Sequence, residues 1–311
     1  MNVLVTAIGS MSAEAVINSL KRNNHLVIGT DIYQEDWIIT AKYVDKFYKV
    51  PYPKEDNYIV SLINICKENN ITFIIPLTDT EIDILIDKKD LFDANGLILG
   101  VPDTKAVKVA RDKFELYKYF KNYTEFKVIP TYKEPYSLIN DFSEYIIAKP
   151  RNGRSSEGLL RINKNIEQIK QLENKYIYQP EIKGTIITID TIRDQYNNIV
   201  SIARKELLRT INGAGLVVEL FYDKRIFKIA KVITSALNIV GCINIELIYN
   251  NNDNYYLLDV NPRFSAGIAF SAIAGYNFIE NHLKCFYGLE IDKQINYEKK
   301  IISKRYNEIC H

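Results

Sequence analysis

The chain has 311 residues, 47% of them hydrophobic and 25% charged, with 40 Lys and Arg against 38 Asp and Glu for a net charge of +2. That length accommodates two or three domains with a proper core, and so even a balance supplies no field to recruit nucleic acid or an anionic membrane. No apolar run approaches the ~20 residues that span a bilayer and MNVLVTAIGS lacks a basic leader region, so a cytoplasmic protein with small-molecule partners is expected.

In chain order, NVLVTA at 2–7 is a β-branched run followed by Gly9 and a helical pattern at 12–22, with Ala13, Val16, Ile17 and Leu20 on one face and Ser12 as its cap. HLVIGT at 25–30, ending at Asp31, is a second strand, and strand, helix, strand implies a parallel sheet. A dinucleotide fold is therefore a rival, but its three-glycine fingerprint is reduced here to Gly9. Further strands are expected at 43–50, 71–76 and 97–101, with a helix at 57–69. Leu77 to Glu81 follow the strand at 71–76, where open α/β sheets place ligands; Asp79 or Thr80 is read there as a helix cap or a substrate contact. Residues 1–105 thus read as one doubly wound α/β unit.

A helix at 104–121 carries Arg111, Asp112 and Lys113. A strand at 144–150 ends in Lys149, and the loop RNGRSSEG at 151–158 can form an anion-binding concavity or an ordinary flexible turn. It has no GK[ST] and opens no helix, so it is not a Walker loop. Strands at 175–182, 185–194 and 199–209 follow. The last of these carries Arg204, Lys205 and Arg209, which suit an anionic substrate group or a basic edge strand. Residues 211–216 are expected to be a mobile loop, 223–238 an amphipathic helix, 268–286 an apolar helix, and the charged tail from 291 is unassigned.

The densest polar pattern is YYLLDVNPRFSAG at 255–267. As a strand it puts Asp259, Asn261 and Arg263 on one face and Leu258, Val260 and Pro262 on the other. The preceding GCINIELIY pairs with it across the turn NNNDN, and symmetric pairing about Asn252 and Asp253 sets Glu246 opposite Asp259 and Asn244 opposite Asn261. Like charges so placed repel; a hard divalent cation would relieve them, and a solvated hairpin face is the alternative. Cys66, Cys242, Cys285 and Cys310 have no CxxC spacing and read as buried free thiols. His25, His282 and His311 lie near no nucleophile, which argues against triad chemistry.

Taken together, VLVTAIGS…VIGTD…YKVP…FIIPLTDTE, RDK, IAKPRNGRSSEGL, YQPEIKGTIITID and NIEL…LLDVNPRFSAG resemble, in order, the ATP-grasp enzymes, in the branch of the carbamoyl phosphate synthase large subunit and small carboxylate–amine ligases. The resemblance implies an α/β fold passing to α+β: a doubly wound parallel domain at 1–105, then two ATP-grasp subdomains at 106–180 and 181–311 sandwiching the nucleotide. It implies that Lys113 and Lys149 contact ATP phosphates, that Gly153, Ser155, Ser156 and Gly158 form the phosphate loop, and that Gln179, Pro180, Glu181 and Ile182 line the adenine pocket. Glu246, Asp259 and Asn261 would hold Mg²⁺ or Mn²⁺, with Arg263 and Lys149 as catalytic groups. Two departures are visible: Asp259 replaces the family's Glu, and a family Glu after the hinge glycine is replaced near Ile186. The implied activity is an ADP-forming ligase that activates a small carboxylate as an acyl phosphate and couples it to an amine. A phosphotransferase or a non-catalytic nucleotide-binding subunit of the same fold are the alternatives. Expected partners are the carboxylate and amine substrates, with a homodimer left open and no nucleic acid or membrane.

Overall fold

The computed structural model describes residues 1–138, 143–153, 157–163, 176–250 and 252–310. Its first sheet is wholly parallel, in the order β3-β2-β1-β4-β5, from β1 (Asn2–Val5), β2 (Leu26–Asp31), β3 (Lys46–Lys49), β4 (Phe73–Ile75) and β5 (Ile98–Leu99). This is the doubly wound order expected of alternating strands and helices. The central strands are buried on both faces because α1 (Ala13–Arg22), α2 (Tyr58–Glu68), α3 (Asp79–Leu85) and α4 (Lys89–Ala94) accompany them. The amphipathic stripe of α1 sends Ala13, Val16, Ile17 and Leu20 into one core, which continues into the helix Phe278–Phe286. Phe73 of β4 meets Phe286 edge-on there at 5.7 Å.

The helix expected at 104–121 is two helices, α5 (Thr104–Arg111) and α6 (Lys113–Phe120). The break is Asp112, extended at φ −106° and ψ 105°, whose carboxylate accepts from the N–H groups of Phe114 and Glu115 and caps α6. Arg151 holds that carboxylate from the other side at 2.7 Å. Lys113 consequently sits at the first turn of a helix instead of inside one.

Two antiparallel sheets follow. The small one, in the order β8-β7-β9, is built from β7 (Tyr145–Pro150), β8 (Leu160–Asn163) and β9 (Tyr176–Pro180). The large one runs β15-β12-β11-β10-β13-β14-β6, from β6 (Lys127–Val128), β10 (Thr185–Arg193), β11 (Ile199–Arg209), β12 (Gly215–Phe221), β13 (Gly241–Tyr249), β14 (Tyr255–Asn261) and β15 (Lys300–Ser303). Only β6 lies parallel to its neighbour. One face is apolar: Ile187, Ile189, Ala203, Ile243, Ile245, Leu257 and Val260 pack with the helix Lys224–Ala236 and with α5 and α6. By the two-residue alternation of strands, the other face is left to Thr188, Arg204, Asn244 and Glu246.

Residues 211–216 lead into β12 through a turn closed by Thr210 N–H to Ala214 O at 2.8 Å. β11 is an interior strand, so its basic residues are on no edge, which corrects that alternative. The helix expected at 268–286 is interrupted at Gly275, with φ +100°, between Ile268–Ile273 and Phe278–Phe286. The tail supplies β15, which pairs with β12. Cys66, Cys242 and Cys285 are buried free thiols, whereas Cys310 is exposed. Among the described residues no helix is long and apolar enough to cross a membrane.

Candidate functional site

The polar face of the large sheet forms the floor of a cleft of about 860 Å³, roofed by the small sheet and closed at one end by loops of the first sheet. That volume lies toward the upper end for ligand pockets. The floor is organised by an irregularity in β14. Near the turn the hairpin pairs Tyr249 with Tyr255 and Leu247 with Leu257; then Leu258 is left unpaired as a bulge, and the register resumes at Glu246 opposite Asp259 and Asn244 opposite Asn261. The expected pairing is therefore present, but Leu258 faces the cleft beside Asp259 instead of sharing the core face of Val260. A bulge re-aims side chains in this way.

The two facing carboxylates have different surroundings. Burial pushes the Glu246 carboxyl up, opposed by Arg209 and reinforced by Asp259. Arg209 reaches both Glu246 oxygens at 3.3 Å and is itself fixed by donating to Gly213 O at 2.6 Å. Asp259 lies 3.5 Å from the Lys113 ammonium. The side-chain amide of Asn261 donates to Asn244 at 3.3 Å. Among the described residues no cluster of three or more acidic, His or Cys side chains could hold a metal ion alone. Two carboxylates and an amide suit a hard cation whose coordination is completed by phosphate oxygens or water.

Across from these acids stand two lysines. Lys113, at the first turn of α6, donates to Gly153 O at 2.8 Å and so ties that helix to the loop after β7. Lys149, near the end of β7, is 7% exposed and forms no hydrogen bond or ion pair among the described residues. Burial, then the neighbouring Lys113, lower its pKa to about 8 against the pull of Asp259 and Glu246. A buried ammonium beside a second one, with no partner of its own, suits a polyanion.

Arg263, just beyond β14, is gripped by Asp79 at the start of α3, with Nε to Oδ1 at 2.9 Å and Nη2 to Oδ2 at 2.7 Å. Asp79 is not the cap of α3, which is Thr78 in a reciprocal box with Glu81, but it does line the cleft. Burial pushes the Asp79 carboxyl up, but Arg263 and then Arg111 hold it down at about 2. Arg204 is almost fully buried and lines the cleft through contacts with Asp190 at 2.6 Å, Ser265 at 3.0 Å and Glu206 at 3.2 Å. Lys205 points elsewhere, to Glu219 at 2.8 Å.

Lys113, Lys149, Gly153, Glu246, Asp259, Asn261 and Arg263 thus line one cleft. Gly158, at φ +70°, packs its α-carbon against Pro150 where a Cβ would come within 2.9 Å of the ring. Ser155 and Ser156 lie outside the described residues. Gln179, Pro180, Glu181 and Ile182 do not line the cleft. Gln179 donates to Thr131 at 2.8 Å, and Glu181 pairs with Arg161 at 2.6 Å. The sequence reading missed Thr188, Glu206 and the aromatic wall of Tyr33, Trp37 and Tyr52 as lining residues; the alternation of β10 and β11 carried the signal for the first two.

Two family models match the chain: residues 173–309 match "ATP-grasp in the biosynthetic pathway with Ter operon", and residues 3–99 match "PylC-like, N-terminal domain". The carbamoyl phosphate synthase large chain of Clostridium acetobutylicum is 23% identical over 234 residues, covering 68% of this chain and 22% of its own length. The chain thus spans about a fifth of that curated relative. The crystal structure of a biotin carboxylase complex with β,γ-ATP from Campylobacter jejuni superposes with a TM-score of 0.76 at 15% identity, over 94% of this chain and 72% of that one. N5-carboxyaminoimidazole synthetase from Staphylococcus aureus, complexed with ADP, also gives 0.76, at 16% identity over 96% and 81% of the two chains. The fold is that of the ATP-grasp proteins.

Proposed function

We propose that this chain, an ATP-grasp fold behind a PylC-like N-terminal domain, is an ADP-forming ligase that activates a small carboxylate as an acyl phosphate and joins it to an amine. Residues 1–105, 106–180 and 181–311 are taken as its three units. The observation that carries the reading is the pairing, in one cleft, of a buried Lys149, without a hydrogen bond or ion pair among the described residues, beside Lys113 with the facing carboxylates Glu246 and Asp259. Lysines on one side and acids on the other suit a metal-bound nucleotide. A lone organic anion would be repelled by the acids, and a lone cation by the lysines.

In this reading Lys113 and Lys149 hold the phosphates of ATP under the loop of Gly153 and Gly158. Glu246, Asp259 and Asn261 fit Mg²⁺ or Mn²⁺, because Glu246 is pushed up by burial and by Asp259 in a way a cation between them would reverse. When bound there, such an ion would supply positive charge to offset that of the transferring phosphoryl group. A substrate carboxylate oxygen attacks the γ-phosphorus and ADP departs. The amine then attacks the acyl carbon, and inorganic phosphate leaves with the former carboxylate oxygen. Arg263, its guanidinium fixed by Asp79, steadies the phosphoryl group and the acyl phosphate. Positioning and charge neutralisation do most of the work in such transfers, which agrees with a cleft wall that has no His or Cys among the described residues.

The test is a matrix of small carboxylates and amines scored for nucleotide product. ADP and phosphate formed only when an acid and an amine are both present support the reading, and AMP as the product contradicts it.

A further inference from the structure

We propose that the end of the cleft nearest the first sheet is a subsite for a planar aromatic or heteroaromatic ring on one of the two organic substrates, built by Trp37 with Tyr33 and Tyr52. The proposal rests on the ligase reading only for what the rest of that substrate does.

Trp37 is the chain's one tryptophan. It is 74% exposed, yet it lines the same cleft as Lys149 and Arg263. Tyr33 and Tyr52 share that wall and are exposed as well. Large aromatic side chains bury much area when covered and gain little when left in water. A single exposed ring on a surface requires no explanation, but three converging on the mouth of a cleft that already holds a charged site do.

Their exposure does not arise from a frayed loop. Both oxygens of the Asp31 carboxylate are used to pin the segment, receiving Gly9 N–H at 2.8 Å and Tyr33 N–H at 3.2 Å. Thr40 ties the far side to Ile8 O at 2.5 Å. Trp37 N–H bonds to Gln34 O at 3.0 Å in a single helical turn, and Ile38 beside it is buried, its Cδ1 filling the place a Cβ on Gly9 would need. The backbone is fixed while the rings have open faces, which is the state of a wall made ready for a ligand.

The ring geometry selects a flat group. The Tyr33 and Trp37 centroids are 6.2 Å apart with planes tilted by 34°, within the 4.5–7 Å range over which aromatic rings attract one another. A flat π-bearing substituent would stack on either face. A saturated ring of the same size would gain area burial alone. The polar groups of such a ligand then extend inward, toward Arg204 and Arg263 in the same cleft.

Because Trp37 is the sole tryptophan, the fluorescence of the full chain reports this subsite directly. The probes are two matched pairs, L-phenylalanine with L-cyclohexylalanine and phenylacetate with cyclohexylacetate, each titrated with and without MgADP. The expected result is a saturable change in Trp37 emission with an aromatic member and an affinity roughly two- to tenfold higher than that of its saturated partner, the range an aromatic contact is worth. Calorimetry should find that preference lost in Trp37→Leu and kept in Trp37→Phe; the exposure of the side chain predicts that both variants fold. Equal affinities within both pairs, or no saturable change with either aromatic probe, overturn the proposal. Binding of MgADP is measured separately on the same protein, so failure of the nucleotide site shows as a different result from failure of the ring preference.

Discussion

Asp79 and Arg263, 184 residues apart, form a two-point ion pair that fastens the first sheet's domain to the floor of the cleft. Both hydrogen bonds are short, Asp79 is 3% exposed, and Arg111 stands 3.6 Å from the same carboxylate. Removing one partner of such a pair leaves an uncompensated buried charge. Asp79→Asn should therefore lower stability by about 3 kcal/mol, measured by urea denaturation. The wild-type contribution, held by a carboxyl lowered from 3.8 to about 2, is complete above the unfolded value and is lost as pH falls through the folded one. A variant as stable as the parent would mean that the pair is not a fastening.

Arg263 and Lys149 should separate in kinetics. Arg263→Ala is expected to reduce turnover by roughly 10²-fold, the cost of losing a preorganised charge at a transition state, with little change in ATP affinity. Lys149→Ala should weaken ATP binding, read by calorimetry without the organic substrates. Equal effects of both changes on both parameters would contradict the assigned roles.

Lys149 also gives a pH signature. With its pKa lowered to about 8 by burial and by Lys113, a sizeable fraction is neutral at pH 8, and phosphates arriving beside it favour the ammonium. Nucleotide binding should take up about half a proton at pH 8 and weaken as pH rises further. Calorimetry in buffers of different ionisation enthalpy measures the uptake. Lys149→Arg, which stays charged, should lose it, and a variant with undiminished uptake would assign the proton elsewhere.

Stability should carry a separate titration from His282. Its Nδ1 accepts the Cys242 N–H at 2.9 Å and its Nε2 faces Gly100 O at 3.2 Å, an arrangement that requires the neutral ring. Burial lowers its pKa from 6.5 to about 4. The unfolded chain takes the proton first, so stability is full above pH 6.5 and falls by up to about 3 kcal/mol as pH drops toward 4. His282→Gln should flatten that part of the profile in denaturant titrations. An unchanged slope would assign it to other groups.

Much of the site was legible because strands alternate. GCINIELIY and YYLLDVN sort their polar and apolar residues by face, which marks Asn244 and Glu246, and Asp259 and Asn261, as polar sets. The bulge at Leu258 was not legible, since a period-two reading assumes no extra residue; the correct Glu246–Asp259 pairing in fact needs it. Local spacing offers Asp79 as a cap or a substrate contact, whereas its ion-pair partner Arg263 comes from the far end of the chain. The strand β15 was missed because KIIS lacks clear alternation within a charged tail. Exposure of Trp37 and burial of Lys149 are properties of the folded surface alone.

The central claim is that a carboxylate is phosphorylated at this cleft. The most direct measurement replaces the amine with hydroxylamine in a reaction with MgATP and a carboxylate that supports ADP release. The account predicts a hydroxamate formed in step with ADP. Formation of AMP, or of ADP with a stable phosphorylated product and no hydroxamate, would contradict it.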